Sequence, residues 1–138
     1  MSFNYDATGI EITGNFTPAP PGKYNLVIKE CKEKVTKNGD PMVSALCEID
    51  DAGWLGTRVW HNVSFLGKDE TGKPRKGAGM AVHFLKVIGE SWEGNFEVNC
   101  ESWVGKRFRA QLKVENDLKG KPRNEIAYII SPEEEVPF

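Results

Sequence analysis

The chain has no apolar run approaching the roughly twenty residues that a membrane-spanning helix needs, so no membrane partner is expected. Its first residues, MSFNYDATGIEITGNF, carry neither the basic stretch nor the apolar core of a secretory signal, and a cytoplasmic location is expected. Cysteine is scarce: Cys31, Cys47 and Cys100 are odd in number, widely spaced and form no CxxC pair. This argues against a disulfide framework or a structural zinc site and for buried free thiols, with a Cys31 to Cys47 contact across a hairpin as the alternative. The two histidines, His61 and His83, fall on different elements, and no GxSxG, HExxH or GxxxxGK[ST] occurs. No catalytic residue, cofactor or metal site is therefore expected. Asp50-Asp51 and Asp69-Glu70 are the acids a metal-dependent nuclease would have to use, but acid pairs in turns usually serve turn geometry and solubility.

What is present fits one domain. At 138 residues the chain supports a single core. Its net charge of −2 conceals a segregation. All 18 Lys and Arg lie between Lys23 and Arg123, whereas five of the 20 acids (Asp6, Glu11, Glu133, Glu134 and Glu135) lie outside Lys23 to Ile130. Between Lys106 and Arg123, seven basic residues face only Glu115 and Asp117. A basic surface sits beside an acidic tail, and the distribution matters more than the sum.

Residues 1–22 end in the proline-rich TPAPPG and predict an arm rather than a helix. Tyr24, Leu26 and Ile28 then alternate, and the apolar phase shifts to Cys31 and Val35, which predicts a long first strand bent by a β-bulge. Asn38-Gly39 signals a hairpin in which both residues tolerate positive φ. Val43, Ala45, Cys47 and Ile49 share one face of the return strand. In a third strand, from about Gly56 to Leu66, Val59, His61, Val63 and Phe65 turn one way and Arg58, Trp60, Asn62 and Ser64 the other. GKDETGKPRKG, residues 67–77, has no apolar residue and predicts a mobile loop. Ala78 to Ile88 predicts a helix capped by Gly89, its broad apolar face built from Met80, Ala81, Phe84, Leu85, Val87 and Ile88. A fourth strand sets Val104, Phe108, Ala110, Leu112 and Val114 against a polar face of Arg107, Arg109, Gln111 and Lys113. A last strand, Asn124 to Ile130, has Ile126, Tyr128 and Ile130 in phase. Three strands, a helix and two strands predict a mainly β fold, the five-stranded Greek-key OB-fold barrel, over residues 23–130, with residues 131–138 as a tail.

Single-strand binding needs a cationic groove that follows phosphates and exposed aromatic faces on which bases stack. Arg58 and Trp60 on the outer face of the third strand supply one part, since an outward indole has no core function. Arg107, Arg109 and Lys113 alternate on the fourth strand, and Lys119, Lys121 and Arg123 occupy the following turn, one jaw of an OB groove. Lys73, Arg75 and Lys76 are candidates for another jaw. Phosphate contacts of this kind predict salt-sensitive affinity and little sequence preference.

The tail is the most specific feature: after Ser131-Pro132 the chain runs Glu133-Glu134-Glu135-Val136-Pro137-Phe138. It is similar to the acidic tip of bacterial single-stranded DNA-binding proteins, where acids precede an apolar residue, proline and a terminal phenylalanine. A terminal aromatic can fill a pocket while the acids meet a basic rim, so the tail is expected to recruit protein partners. The body resembles a phage family of small single-strand-binding-like proteins at Pro20-Pro21-Gly22-Lys23-Tyr24 through Lys37-Asn38-Gly39-Asp40-Pro41-Met42, at Trp54-Leu55-Gly56-Thr57-Arg58-Val59, and at Val104-Gly105-Lys106-Arg107-Phe108. The resemblance implies an OB-fold and a replication or recombination role in a bacterial host. A protein-binding OB adaptor or inhibitor of host machinery, which would bind no nucleic acid, is the alternative reading. OB barrels of this size also commonly dimerise through strand edges or the arm, which leaves a homodimer open.

Overall fold

The computed structural model describes residues 2–8 and 18–132; the tail Glu133–Phe138 lies outside the described residues. Five strands, β1 (Gly22–Val35), β2 (Pro41–Ile49), β3 (Arg58–Ser64), β4 (Arg107–Asn116) and β5 (Pro122–Ile130), form one antiparallel sheet in the order β3-β2-β1-β4-β5. The sheet curls until its edge strands β3 and β5 approach each other, giving a nearly closed, OB-like barrel. Helix α1 (Ala78–Ile88) lies between β3 and β4, and a 3-10 turn (Cys100–Trp103) leads into β4.

The bend in β1 is where the phase shift predicts it. Ile28 pairs with Cys47, but Glu30 pairs with Leu46, so Lys29 is the extra residue of a bulge. Beyond it Cys31 turns inward opposite Ala45, while Glu30, Lys32 and Lys34 turn outward. The β1–β2 turn differs from the expected form: Gly39 takes φ of 86°, whereas Asn38 stays at negative φ. Gly39 N–H donates to Thr36 O at 3.0 Å and Thr36 N–H to Asp40 O at 2.8 Å, a type I turn followed by a glycine bulge, in which only the glycine needs the left-handed region.

The same turn recurs at Asp69–Lys73 and at Asp117–Lys121, each closed by matching backbone bonds. Residues 67–77 therefore form a small hydrogen-bonded hairpin where composition predicts a loop. Asp69 Oδ1 accepts from the Thr71 hydroxyl at 2.6 Å, Thr71 N–H at 2.9 Å and Lys73 N–H at 3.0 Å, and Lys68 bridges to Pro74. Arg75 then ties this small hairpin to the β1–β2 turn by donating to both Asp40 carboxylate oxygens, at 2.7 and 3.1 Å. Composition reported polarity; the order comes from side-chain acceptors that replace a core.

The core is built from inward strand residues such as Leu26, Ile28, Val43, Cys47, Val59, Phe108 and Leu112, closed on one side by Ala81, Phe84, Leu85 and Ile88 of α1. Met80 does not join that face; it is 75% exposed. Trp103 is fully buried and meets Phe84 edge-on at 5.6 Å, so it serves packing. The three cysteines are free, with Cys47 and Cys100 buried. Burial pushes the Cys31 thiol up to about 11 and the Cys47 thiol up to about 12, which keeps both protonated and unreactive at neutral pH.

Among its described residues, the arm is fastened at Ala19. Ala19 is fully buried, its N–H donates to Asn124 Oδ1 at 2.9 Å, and its carbonyl accepts from Asn124 Nδ2 at 2.9 Å. Asn124→Ala leaves both backbone groups without these bonds. It is expected to lower stability by about 2 kcal/mol, read as a lower urea midpoint at unchanged slope.

Candidate functional site

The edge strands β3 and β5 approach each other along a seam that carries a surface groove. On β2 and β3 the outward residues pair across the ladder as Ser44 with Asn62, Leu46 with Trp60 and Glu48 with Arg58. Leu46 is only 7% exposed although it points out of the barrel, whereas Trp60 opposite it is 56% exposed. The indole thus has a covered apolar neighbour on one side and an accessible face on the other, the arrangement a stacking platform needs.

Around Trp60 lies an open groove of about 490 Å³ lined by Lys34, Met42, Arg58, Asn62 and Arg123, with Glu125 on the β5 wall. Lys34 reaches it because the β1 bulge turned it outward, and Arg123 enters from the start of β5. Glu125 Oε1 accepts from Arg123 Nε at 3.1 Å and Nη2 at 2.8 Å, which holds that guanidinium against the groove wall. Three cations from three strands thus surround one exposed indole, with one carboxylate among them. An arrangement of this kind can neutralise a phosphate chain and stack an unpaired base.

A family described as a protein of unknown function (DUF669) matches residues 3–129. The chain belongs to the DUF669 family. No curated protein matches it. The DUF669 match contains the whole groove, including Lys34, Arg58, Trp60 and Arg123, and ends before the acidic tail.

Arg58, Trp60 and Arg123, all expected from sequence, are brought together in this DUF669 groove; the other expected residues are placed elsewhere. Arg107, Arg109 and Lys113 lie on β4, between β1 and β5, and do not line the groove. Arg107 pairs with the Asp50 carboxylate, Arg109 is half-buried opposite Asn25, and Lys113 lies 3.3 Å from Glu115. Lys119 and Lys121 sit in the β4–β5 turn that precedes Arg123, where their backbone N–H groups donate to Asp117 Oδ1 at 2.8 and 2.9 Å. Lys73 and Lys76 belong to the small hairpin at 67–77, and Arg75 is committed to Asp40, whose carboxyl it holds below the ordinary carboxylate range. Lys34, Met42 and Glu125 also line the groove without having been site candidates, and Asn62 joins them from the outward face of β3; the phase shift after Ile28 was the available signal for Lys34.

Three of the four acids that a metal-dependent nuclease would need make structural contacts. Asp50 pairs with Arg107, and Asp51 accepts from Asn25 N–H at 2.7 Å and from its side-chain amide at 2.8 Å. Asp69 closes its turn, and chiefly the Thr71 hydroxyl holds its carboxyl low. Among the described residues, no group of three or more His, Cys, Asp or Glu is arranged to hold a metal ion. No helix among them is long and apolar enough to cross a membrane.

Proposed function

We propose that this DUF669 protein binds single-stranded DNA along the β3–β5 seam without strong sequence preference. In this reading the tail Glu133–Phe138 recruits replication or recombination proteins in the cytoplasm of a bacterial host. The observation that carries the reading is the exposed Trp60 ringed by Lys34, Arg58 and Arg123 in one groove. The tail contributes through its composition alone: three acids followed by Val136-Pro137-Phe138 suit an apolar pocket with a basic rim.

Titration with oligo-dT while following tryptophan fluorescence tests the reading. Single strand is expected to quench the signal, and the duplex of the same length is expected not to. Two to three phosphate-neutralising cations, Arg123 being already paired with Glu125, predict a log-log salt slope between roughly −1.4 and −2 for a single strand, so affinity is expected to fall about seven- to twentyfold between 50 and 200 mM salt. A protein that binds no oligonucleotide under any of these conditions would sink the proposal and leave the protein-adaptor reading.

A further inference from the structure

Tyr128 is expected from its phase with Ile126 and Ile130 to point into the core, yet it is 51% exposed. The cause is a second bulge: Gln111 pairs with Tyr128 but Leu112 pairs with Ile126, so Ala127 has no partner and the strand reverses its faces there. Bulges of this kind re-aim side chains, and they recur beside binding sites. Tyr128 lines a second cleft, about 450 Å³, together with Met80, Leu66 and Ile129. Met80 is 75% exposed, although the buried face of α1 is already supplied by Ala81, Phe84, Leu85 and Ile88. Two large side chains lining one cleft are thus left open to solvent, and neither is needed by the core.

This cleft and the Trp60 groove share His61 and Asn62 as walls and so lie side by side along the seam. Trp60 and Asn62 are successive outward positions on β3, about 6.7 Å apart along a strand, a step commensurate with a stretched nucleotide. We infer that the Tyr128–Met80 cleft is a second base-binding subsite, filled by another base of the strand whose phosphates pass Lys34, Arg58 and Arg123. The inference rests on the single-strand reading and extends it: the cationic groove holds backbone, and the cleft takes a base against the Tyr128 ring. The walls it shares with the cationic groove are what select a nucleic-acid base over an apolar protein segment as the occupant.

Fluorescence anisotropy with labelled oligo-dT of increasing length separates the two ideas. Wild-type affinity is expected to rise with length until both subsites are filled. Tyr128→Ala is expected to remove the last rise, weakening long oligonucleotides at least about fivefold while leaving short ones unchanged, and Tyr128→Phe is expected to retain it. Because Tyr128 is exposed, thermal melting of Tyr128→Ala is expected to match the wild type. Equal affinity of wild type and Tyr128→Ala for long oligonucleotides, or an equal loss for short and long, overturns the subsite and leaves the Trp60 groove standing. A wild type that binds no length overturns both.

Discussion

Trp60→Ala is expected to weaken oligo-dT binding by between about fivefold and 150-fold, the range that about 1 to 3 kcal/mol per stacked base corresponds to. The fold is expected to survive, because the indole is 56% exposed and the barrel interior is closed by Val59, His61 and Val63 of the same strand. Trp60→Phe is expected to retain most of the affinity, since a smaller ring still stacks. Arg58→Ala is expected to change a different observable, flattening the log-log salt slope by about 0.7 with the loss of one phosphate contact. Arg107→Ala supplies the contrast. It lies outside the groove and pairs with Asp50, so binding and salt slope are expected to stay at wild-type values. If Arg107→Ala proved as damaging as Trp60→Ala, the strand would run over β4 and not along the seam. Isothermal titration of the four variants at two salt concentrations decides between these paths.

That contrast marks where local pattern stops informing. Period-two alternation states whether a residue points into or out of a barrel, and it assigned Arg58, Trp60, Arg107 and Lys113 to the outside. It does not state the angle around the barrel at which each outward residue emerges, because that depends on which strands pair across long sequence separations. The β3–β5 seam therefore collects Lys34, Arg58 and Arg123 from three distant segments, while the denser basic run on β4 lies beside it. The helix was legible to its ends because Gly89, its last apolar turn and its length are local features. Met80 was misassigned because a broad apolar arc does not say which flank the barrel covers. The two bulges differ in the same way. In β1 the apolar phase visibly changes between Ile28 and Cys31, whereas in β5 the apolar run Ile126, Ala127, Tyr128, Ile129 and Ile130 is compatible with either phase. The acid-closed turn at Asp69 was hidden for another reason: its order comes from one carboxylate saturated by three donors, which hydropathy does not register.

His61 makes a separate demand on the fold, and it predicts how stability responds to acid. Its ring points inward from β3, meets Phe84 edge-on at 4.7 Å and lies 6.3 Å from Phe108. Although the residue keeps some exposure along the seam, burial of the imidazole among these rings pulls its pKa down to about 4, from an ordinary value of 6.5. The folded protein therefore holds His61 neutral at pH values where the unfolded chain protonates it. Stability from this residue is complete above pH 6.5 and is lost as pH falls from 6.5 towards 4, because only the unfolded state gains the proton in that window. The shift corresponds to a loss of about 3 kcal/mol across the window, a large share of the stability of a domain this size. Asp40, Asp69, Asp117 and Glu90 all have carboxyls held below their ordinary range, so their contributions are lost only at lower pH and do not blur the upper part of the window. His61→Phe keeps an aromatic ring against Phe84 and Phe108 and removes the titrating nitrogen. Its urea midpoint is expected to stay nearly flat between pH 7 and 5, while the wild-type midpoint falls steadily. Parallel curves for the two proteins would mean that His61 is protonated in the folded barrel, its charge satisfied at the seam, and that its packing against Phe84 is looser than the ring geometry indicates.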